Sequence, residues 1–239
     1  MDVMVQMPRK RDAGSGQRAP AAKLRGVDLK LYPAPDAFAT LIVAHGAGAG
    51  QTSPFMVRAA AALAERGVTA ATFDFPYITA GRSVPDRAPA LEAAWRAAID
   101  AARTRIGAGP LFIGGKSMGG RIASHVASQG GAGALSGLVF FGYPLHPPGK
   151  PDQRRDAHLP AIAEPMLFIQ GSRDPFGTGD EIRALAASLR HATLHEIAGG
   201  DHSFKVPGGK AKQEPAFLDV IDTAVAWMRD VVTKSPARR

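Results

Sequence analysis

The feature that most constrains this chain is a serine flanked by glycines, at the point where an apolar run meets an alanine-rich stretch. Residues 111–124 read LFIGGKSMGGRIAS, with Gly115 and Gly119 two positions to either side of Ser117. This is the G-x-S-x-G pattern of a nucleophile elbow, a sharp turn between a strand and a helix. A side chain two residues before or after the serine would clash in so tight a turn, so both places require glycine.

The pattern is weak by itself, because 27 of the 239 residues are glycine and two other glycine motifs have to be weighed. GPLFIGGKS resembles a phosphate-binding loop, but Pro110 stands where that loop has glycine, and residues 111–114 form an apolar strand instead of a loop. GAGAG at 46–50 resembles a dinucleotide-binding turn, but Gln51 stands in place of its third glycine. Both nucleotide interpretations are therefore disfavoured.

Composition limits the chemistry that is available to the chain. A length of 239 residues with 45% hydrophobic content suits one sizeable α/β domain better than two. The sequence has no cysteine, which excludes a thiol nucleophile, a thiolate zinc site and disulfides. Serine, histidine and carboxylates remain for any reaction.

The net charge of +8 lies mostly at the two ends. We expect a flexible basic tail at 1–26, a nearly neutral domain at 27–233 and a basic tail at 234–239. Because the domain itself is almost uncharged, we expect no nucleic-acid partner. No apolar run approaches the roughly 18 residues that cross a bilayer, so a soluble, cytoplasmic protein without membrane contact is expected.

Short apolar runs alternate with longer alanine-rich segments, which is typical of a doubly wound, mostly parallel sheet with helices on both faces. Strands are predicted at 27–32, 39–45, 68–74, 110–114, 137–143, 165–170 and 192–197. Helices are predicted at 54–66, 88–105, 118–129, 178–190 and 215–233. In the last helix one apolar stripe contains Phe217, Val220, Ile221, Ala224, Val225 and Met228.

Two long connections, 75–87 and 144–164, interrupt this alternation, and both are rich in proline and charge. Loops of this length at one edge of a sheet often line a site. Neither is long enough to form a helical lid, so the cap over the site is expected to be minimal and the pocket fairly open.

A serine needs a base to remove its proton, and the base needs a carboxylate to orient it. Catalytic groups of such sheets gather at the carboxyl ends of the strands, so the base should follow the last strand, where His202 stands in AGGDHSF. The acid should follow an intermediate strand, which favours Asp174 in FIQGSRDPFG, with Asp201 as the alternative. Ser117, Asp174 and His202 are the predicted catalytic residues.

A tetrahedral intermediate also needs two backbone N–H groups aimed at its oxyanion. Met118, at the start of the helix after the serine, is one predicted donor. The second should come from AHGAGAG after the second strand, where we favour Ala47 and keep Gly48 as an alternative. His45 in this loop is interpreted as a structural residue rather than a second base.

Several motifs together resemble the α/β-hydrolase superfamily. They are AHGAGAG, FDFPYITAGRSVPDR, GGKSMGGRIAS, GYPLHPPGKP, QGSRDPFG and GGDHSF, in this order. More narrowly, the chain is similar to a bacterial group related to dienelactone hydrolases, with animal relatives that include a testis-expressed protein and a non-catalytic subunit of a histone acetyltransferase complex. The resemblance covers about 27–230 and implies that the loops 75–87 and 146–151 border the pocket. Because dienelactone hydrolases use a cysteine nucleophile, that substrate is disfavoured here.

Two hypotheses follow. The first is a serine hydrolase that cleaves carboxylic esters or related small acyl compounds through an acyl-enzyme, without metal or organic cofactor. The second is a catalytically silent interaction module, suggested by the scaffold members of the resembling family and by Lys116 and Arg121, which could crowd or charge the pocket. The sequence does not indicate the substrate or the oligomeric state.

Overall fold

The fold is built on seven strands within the described residues, and three of them are buried over their whole length. A computed structural model describes residues 27–130 and 132–234 of the chain. The strands are β1 Lys30–Tyr32, β2 Ala39–Ala44, β3 Val68–Phe73, β4 Leu111–Lys116, β5 Gly137–Phe141, β6 Met166–Gly171 and β7 Ala192–Ile197. Strands covered on both faces have no side exposed to solvent, which is why the sequences of the central strands are mostly apolar.

The strands form one sheet in the order β1-β3-β2-β4-β5-β6-β7. Only β1 runs antiparallel, against β3, and the other neighbouring pairs are parallel. The carboxyl ends of β4, β6 and β7 therefore meet at one edge of the sheet, where loops after parallel strands form binding sites.

Helices cover both faces of this sheet. They are α1 Pro54–Ala64, α2 Pro76–Thr79, α3 Ala88–Ile106, α4 Met118–Ser128, α5 Gly179–Ser188 and α6 Lys210–Lys234. One apolar cluster joins the sheet to α3, α4 and α5 and includes Trp95 and Phe140. A second cluster joins the opposite face to α1 and α6 and includes Phe112 and Met228. This confirms the predicted doubly wound α/β architecture.

The apolar stripe of the last helix agrees with the prediction, but the start of the helix does not. Its buried residues are the six of the predicted apolar stripe, Phe217, Val220, Ile221, Ala224, Val225 and Met228. The helix begins at Lys210, however, five residues before the predicted start at Pro215. The Gln213 side chain donates to the Val206 carbonyl at 2.7 Å and accepts from the Val206 N–H at 3.2 Å. These tertiary contacts hold an extra turn that proline would otherwise disfavour.

The two long connections contain little regular structure. The first holds only the one-turn α2, and the second only a 3₁₀ turn at Leu159–Ala161. No helix in 27–130 or 132–234 is both long and apolar enough to cross a bilayer. The predicted tail at 1–26 and residues 235–239 of the predicted tail at 234–239 lie outside the described residues, whereas Lys234 is the last residue of α6.

Candidate active site

Ser117 lies at a strained turn between β4 and α4. Its backbone has φ 51° and ψ −118°, a conformation that a residue with a side chain adopts only under constraint. The Ser117 N–H donates to the Phe141 carbonyl at 3.1 Å, and the Ser117 carbonyl accepts from the Arg121 N–H at 3.1 Å. A Cβ added to Gly115 or to Gly119 would lie only 2.3 Å from the Ala44 carbonyl oxygen. The glycine spacing of the elbow is thus a requirement of backbone packing between β2 and α4.

The structure brings Asp174 and His202 into direct contact. Asp174 follows β6, His202 follows β7, and Asp174 Oδ2 lies 2.6 Å from His202 Nδ1. The Asp174 side chain is fully buried, and its other oxygen accepts from the Phe176 N–H at 2.8 Å. The Phe176 ring lies over the imidazole with 4.4 Å between ring centroids. Because Nδ1 binds the carboxylate, Nε2 is the nitrogen left to exchange a proton.

Asp201, the alternative acid, has another role. Its Oδ1 accepts hydrogen bonds from the N–H groups of Ser203 at 2.8 Å and Lys205 at 2.9 Å. The carboxylate therefore shapes the turn that presents His202, and the imidazole pairs with Asp174.

Gln170 is a buried residue beside Asp174 that the sequence motifs do not single out. It is fully buried at the end of β6, and its Nε2 donates to Asp174 Oδ2 and to the Gly177 carbonyl, both at 2.8 Å. Its Oε1 accepts from the Tyr143 N–H at 2.8 Å. The one indication of Gln170 in the sequence is an amide side chain at the end of an apolar strand, four residues before Asp174. Gln170 ties the Asp174 loop to the loop after β5.

Lys116 is the second residue whose role was not foreseen. Its Nζ donates to the His202 carbonyl and lies 5.2 Å from the centroid of the Phe204 ring. Burial lowers the pKa of Lys116 from 10.5 to about 8, against the opposing charges of Asp174 and Asp201. The cation of a partly buried lysine thus holds the backbone of the His202 loop beside the serine.

The two predicted oxyanion donors lie around the same space. Met118 is the first residue of α4, where helix geometry leaves the N–H without an intrahelical acceptor. A Cβ built on Gly46 would lie 3.6 Å from Ser117 Cβ, so the loop after β2 passes next to the serine. In this loop the Gly48 N–H donates to the Tyr77 hydroxyl at 3.3 Å, whereas the Ala47 N–H has no hydrogen bond within the described residues. This difference favours Ala47 over Gly48.

His45 is held beneath that loop with both ring nitrogens in use. Nδ1 lies 2.8 Å from the Gly46 carbonyl oxygen, and Nε2 accepts from the Phe75 N–H at 3.2 Å. Burial lowers the pKa of His45, which keeps the ring neutral in this role. These contacts assign it to the support of the loop.

Ser117, Met118, Ala47 and His202 all line one pocket of about 670 Å³. That volume suits a small organic ligand. Within the described part of the chain, no hydrogen bond joins Ser117 Oγ to His202. Catalytic hydrogen bonds are often long in a free enzyme and tighten when substrate binds.

The long loops line this pocket only in part. Pro85 and Asp86 come from the 75–87 connection, and Pro144 and Arg155 from the 144–164 connection. The resemblance was wrong in implying that 146–151 borders the pocket, because none of these residues lines it. His146 in that segment is 5% exposed, and its Nε2 lies 3.1 Å from Glu181 Oε1 on α5.

Comparison with solved structures gives the same architecture. A dienelactone hydrolase from Anabaena variabilis superposes with a TM-score of 0.68 at 21% identity, over 85% of this chain and 91% of that one. Est1E from Butyrivibrio proteoclasticus, with ferulic acid bound, gives 0.67 at 14% identity over 84% and 94%. A serine hydrolase without a lid from Xanthomonas campestris gives 0.64 at 20% identity over 88% and 91%. At these identities the likeness is one of fold.

The sequence itself matches the α/β-hydrolase domain family over residues 37–232. That range contains the elbow serine, the loop after β2 and the paired aspartate and histidine. This chain therefore belongs to the α/β-hydrolase family.

Proposed function

We propose that the protein is a serine hydrolase that cleaves carboxylic esters or related acyl compounds through an acyl-enzyme. The observation that carries this proposal is the 2.6 Å contact between Asp174 Oδ2 and His202 Nδ1, at a histidine that lines the same pocket as the elbow serine. A nucleophile, a base and an orienting acid are the groups that acyl transfer needs. Membership of the α/β-hydrolase family supports the same reading.

In the first half of the reaction, Ser117 Oγ attacks the carbonyl carbon while His202 Nε2 takes the hydroxyl proton. Asp174 orients the ring and stabilises its positive charge. The oxyanion accepts hydrogen bonds from the N–H groups of Met118 and Ala47. Collapse of the tetrahedral intermediate breaks the bond to the leaving alcohol, which receives the proton from His202.

In the second half, water attacks the acyl-enzyme. His202 takes a proton from the water, the oxyanion forms again in the same place, and the acid is released as Ser117 regains its proton. Every step uses groups that line the pocket or hold His202.

The test is steady-state hydrolysis of 4-nitrophenyl esters of increasing acyl length by the wild type and by Ser117→Ala. Triad variants lose several orders of magnitude in kcat, so the variant should be nearly inactive while remaining folded. Ser124→Ala is a matched control, because Ser124 lies on the same helix but binds His158 and the Arg121 carbonyl. Equal rates for wild type and Ser117→Ala would overturn the proposal.

The second candidate function, a silent interaction module, draws support from two observations. Lys116 places a partly buried cation next to the serine, and Ser117 Oγ has no hydrogen bond to His202 within the described residues. A folded protein that hydrolyses no ester in the panel would favour the module.

A further inference from the structure

Two arginines share the wall of the pocket that contains Ser117. Arg121 lies one turn along α4 from the serine, and Arg155 comes from the connection after β5. The Tyr143 hydroxyl donates to the Arg155 carbonyl at 2.8 Å, and the Arg155 N–H donates to the Leu145 carbonyl at 2.8 Å, so the backbone that carries Arg155 is held in place. Two cations therefore face the pocket from fixed elements.

Neither guanidinium has an acidic partner within the residues that the structure describes. Arg121 makes one side-chain hydrogen bond, from Nη1 to His125 Nε2 at 3.4 Å, and its Nε is buried without any partner. No side-chain hydrogen bond or ion pair of Arg155 is formed in this part of the chain. Buried polar groups are normally satisfied, so the Arg121 guanidinium lacks part of its usual hydrogen bonding, and both arginines line the pocket with capacity to bind an anion.

The neighbouring carboxylates are already engaged elsewhere. Glu92 binds His125 with one oxygen at 3.2 Å and Gln129 with the other at 3.1 Å. Asp156 accepts from Arg154. Asp86, which also lines the pocket, pairs through Oδ1 with Arg82 at 2.7 Å, and its Oδ2 is buried without a hydrogen-bond partner within the described residues. None of these three side chains is an ion-pair partner of Arg121 or Arg155 within the described residues.

The charges of the two arginines also act on one another. The pKa of Arg121 is lowered by burial first and by the nearby charge of Arg155 second. Two like charges at the edge of a low-dielectric pocket repel, and an anion between them would relieve the repulsion. Guanidinium groups pair with carboxylates through two parallel hydrogen bonds, which adds geometric selectivity to charge.

We propose that Arg121 and Arg155 form a subsite for a carboxylate carried by the substrate itself, so that the preferred substrates are esters with a free acid group. This rests on the proposed function, because Ser117 defines where the ester bond lies. The Arg121 N–H donates to the Ser117 carbonyl at 3.1 Å and both residues line the same pocket, so the acid group lies within a short chain of the scissile carbonyl.

The test compares two matched esters, 4-nitrophenyl hydrogen adipate and its methylated form, methyl 4-nitrophenyl adipate. The quantity measured is the ratio of their kcat/KM values, charged over neutral. Wild type should favour the charged ester, and Arg155→Gln should lower the ratio at least about tenfold, since a charge-assisted hydrogen bond is lost. Arg121→Gln should act in the same direction.

The matched control is Arg190→Gln, because Arg190 is exposed, does not line the pocket and lies far along the chain from Arg121 and Arg155. It should leave the ratio at the wild-type value. If Arg121→Gln fails to fold, Arg155→Gln still decides the question, since Arg155 lies on a loop and its backbone contacts remain. A ratio that is equal in wild type, Arg155→Gln and any folded Arg121→Gln would overturn the subsite while both esters are still cleaved.

A binding measurement separates this proposal from the proposed function. If neither ester is cleaved, the proposed function has failed, and calorimetry with monomethyl adipate and dimethyl adipate still tests the subsite on the Ser117→Ala protein. Tighter binding of the monoacid, lost in Ser117→Ala/Arg155→Gln, supports the subsite. Equal binding of the two compounds, or a monoacid preference that survives Arg155→Gln, contradicts it.

Discussion

Gln170 donates a hydrogen bond of 2.8 Å to Oδ2 of Asp174, the same oxygen that binds His202. Because both side chains are fully buried, bulk solvent does not hydrate the Asp174 carboxylate. Its position therefore depends on the hydrogen bond from the Gln170 amide. Gln170, at the end of β6, thus fixes the position of Asp174, and Asp174 in turn orients the His202 imidazole.

Gln170→Glu should disrupt this arrangement, because it places a second buried carboxylate against Asp174 and the Gly177 carbonyl. We expect a loss of about 2–4 kcal/mol in the free energy of unfolding at neutral pH and a fall in kcat. Like-charge contact raises the pKa of the new acid, so the loss should shrink at lower pH, where a protonated carboxyl donates in place of the amide. Urea unfolding from pH 5 to 8 measures this, and a pH-independent loss would contradict the account.

Gly119→Ala should destabilise the fold, because the added Cβ would lie 2.3 Å from the Ala44 carbonyl oxygen and 2.7 Å from that of His45. Overpacking against rigid backbone typically costs about 1–3 kcal/mol, and here it also displaces the elbow. Gly46→Ala is the control, since its Cβ would meet nothing closer than 3.6 Å. Thermal unfolding of the two variants should differ clearly, and equal melting temperatures would argue against the packing explanation.

Lys116→Met should change how stability depends on pH. The pKa of Lys116 is about 8 in the folded protein and 10.5 when unfolded, so the unfolded chain holds more protons between these values. Stability should therefore rise with pH from about 8 to 10.5 in the wild type, by a few kcal/mol at most, as the cost of a buried charge disappears. In Lys116→Met this rise should be absent. Denaturant titrations across that window compare the slopes, and identical slopes would show that the buried lysine is not their source.

Much of the architecture could be predicted because periodicity and glycine placement are local signals. The apolar run, the glycines around Ser117 and the helix after it place the elbow without any knowledge of the rest of the chain. The loops after β6 and β7 were identified because parallel strands bring their carboxyl ends to one edge. The stripe on α6 followed from helical spacing alone.

Other features depend on specific side-chain contacts, which helical or strand periodicity does not encode. The start of α6 is held by Gln213 against Val206, a contact that competes with the helix-breaking tendency of Pro215. The sequence around Gln170 gives little sign of its contacts with Tyr143 and Asp174, which depend on β5 and β6 being neighbours in the sheet. The position of Arg155 beside Arg121 arises from the path of the second long loop.

The central claim is that Ser117 is a nucleophile activated by His202, and covalent labelling with a fluorophosphonate probe tests it most directly. Intact-protein mass spectrometry should show one adduct per chain, located at Ser117 by peptide mapping. His202→Ala should be folded but label far more slowly, because the base is missing. A folded wild type that stays unlabelled, a label on another residue, or equal labelling of His202→Ala would contradict the claim.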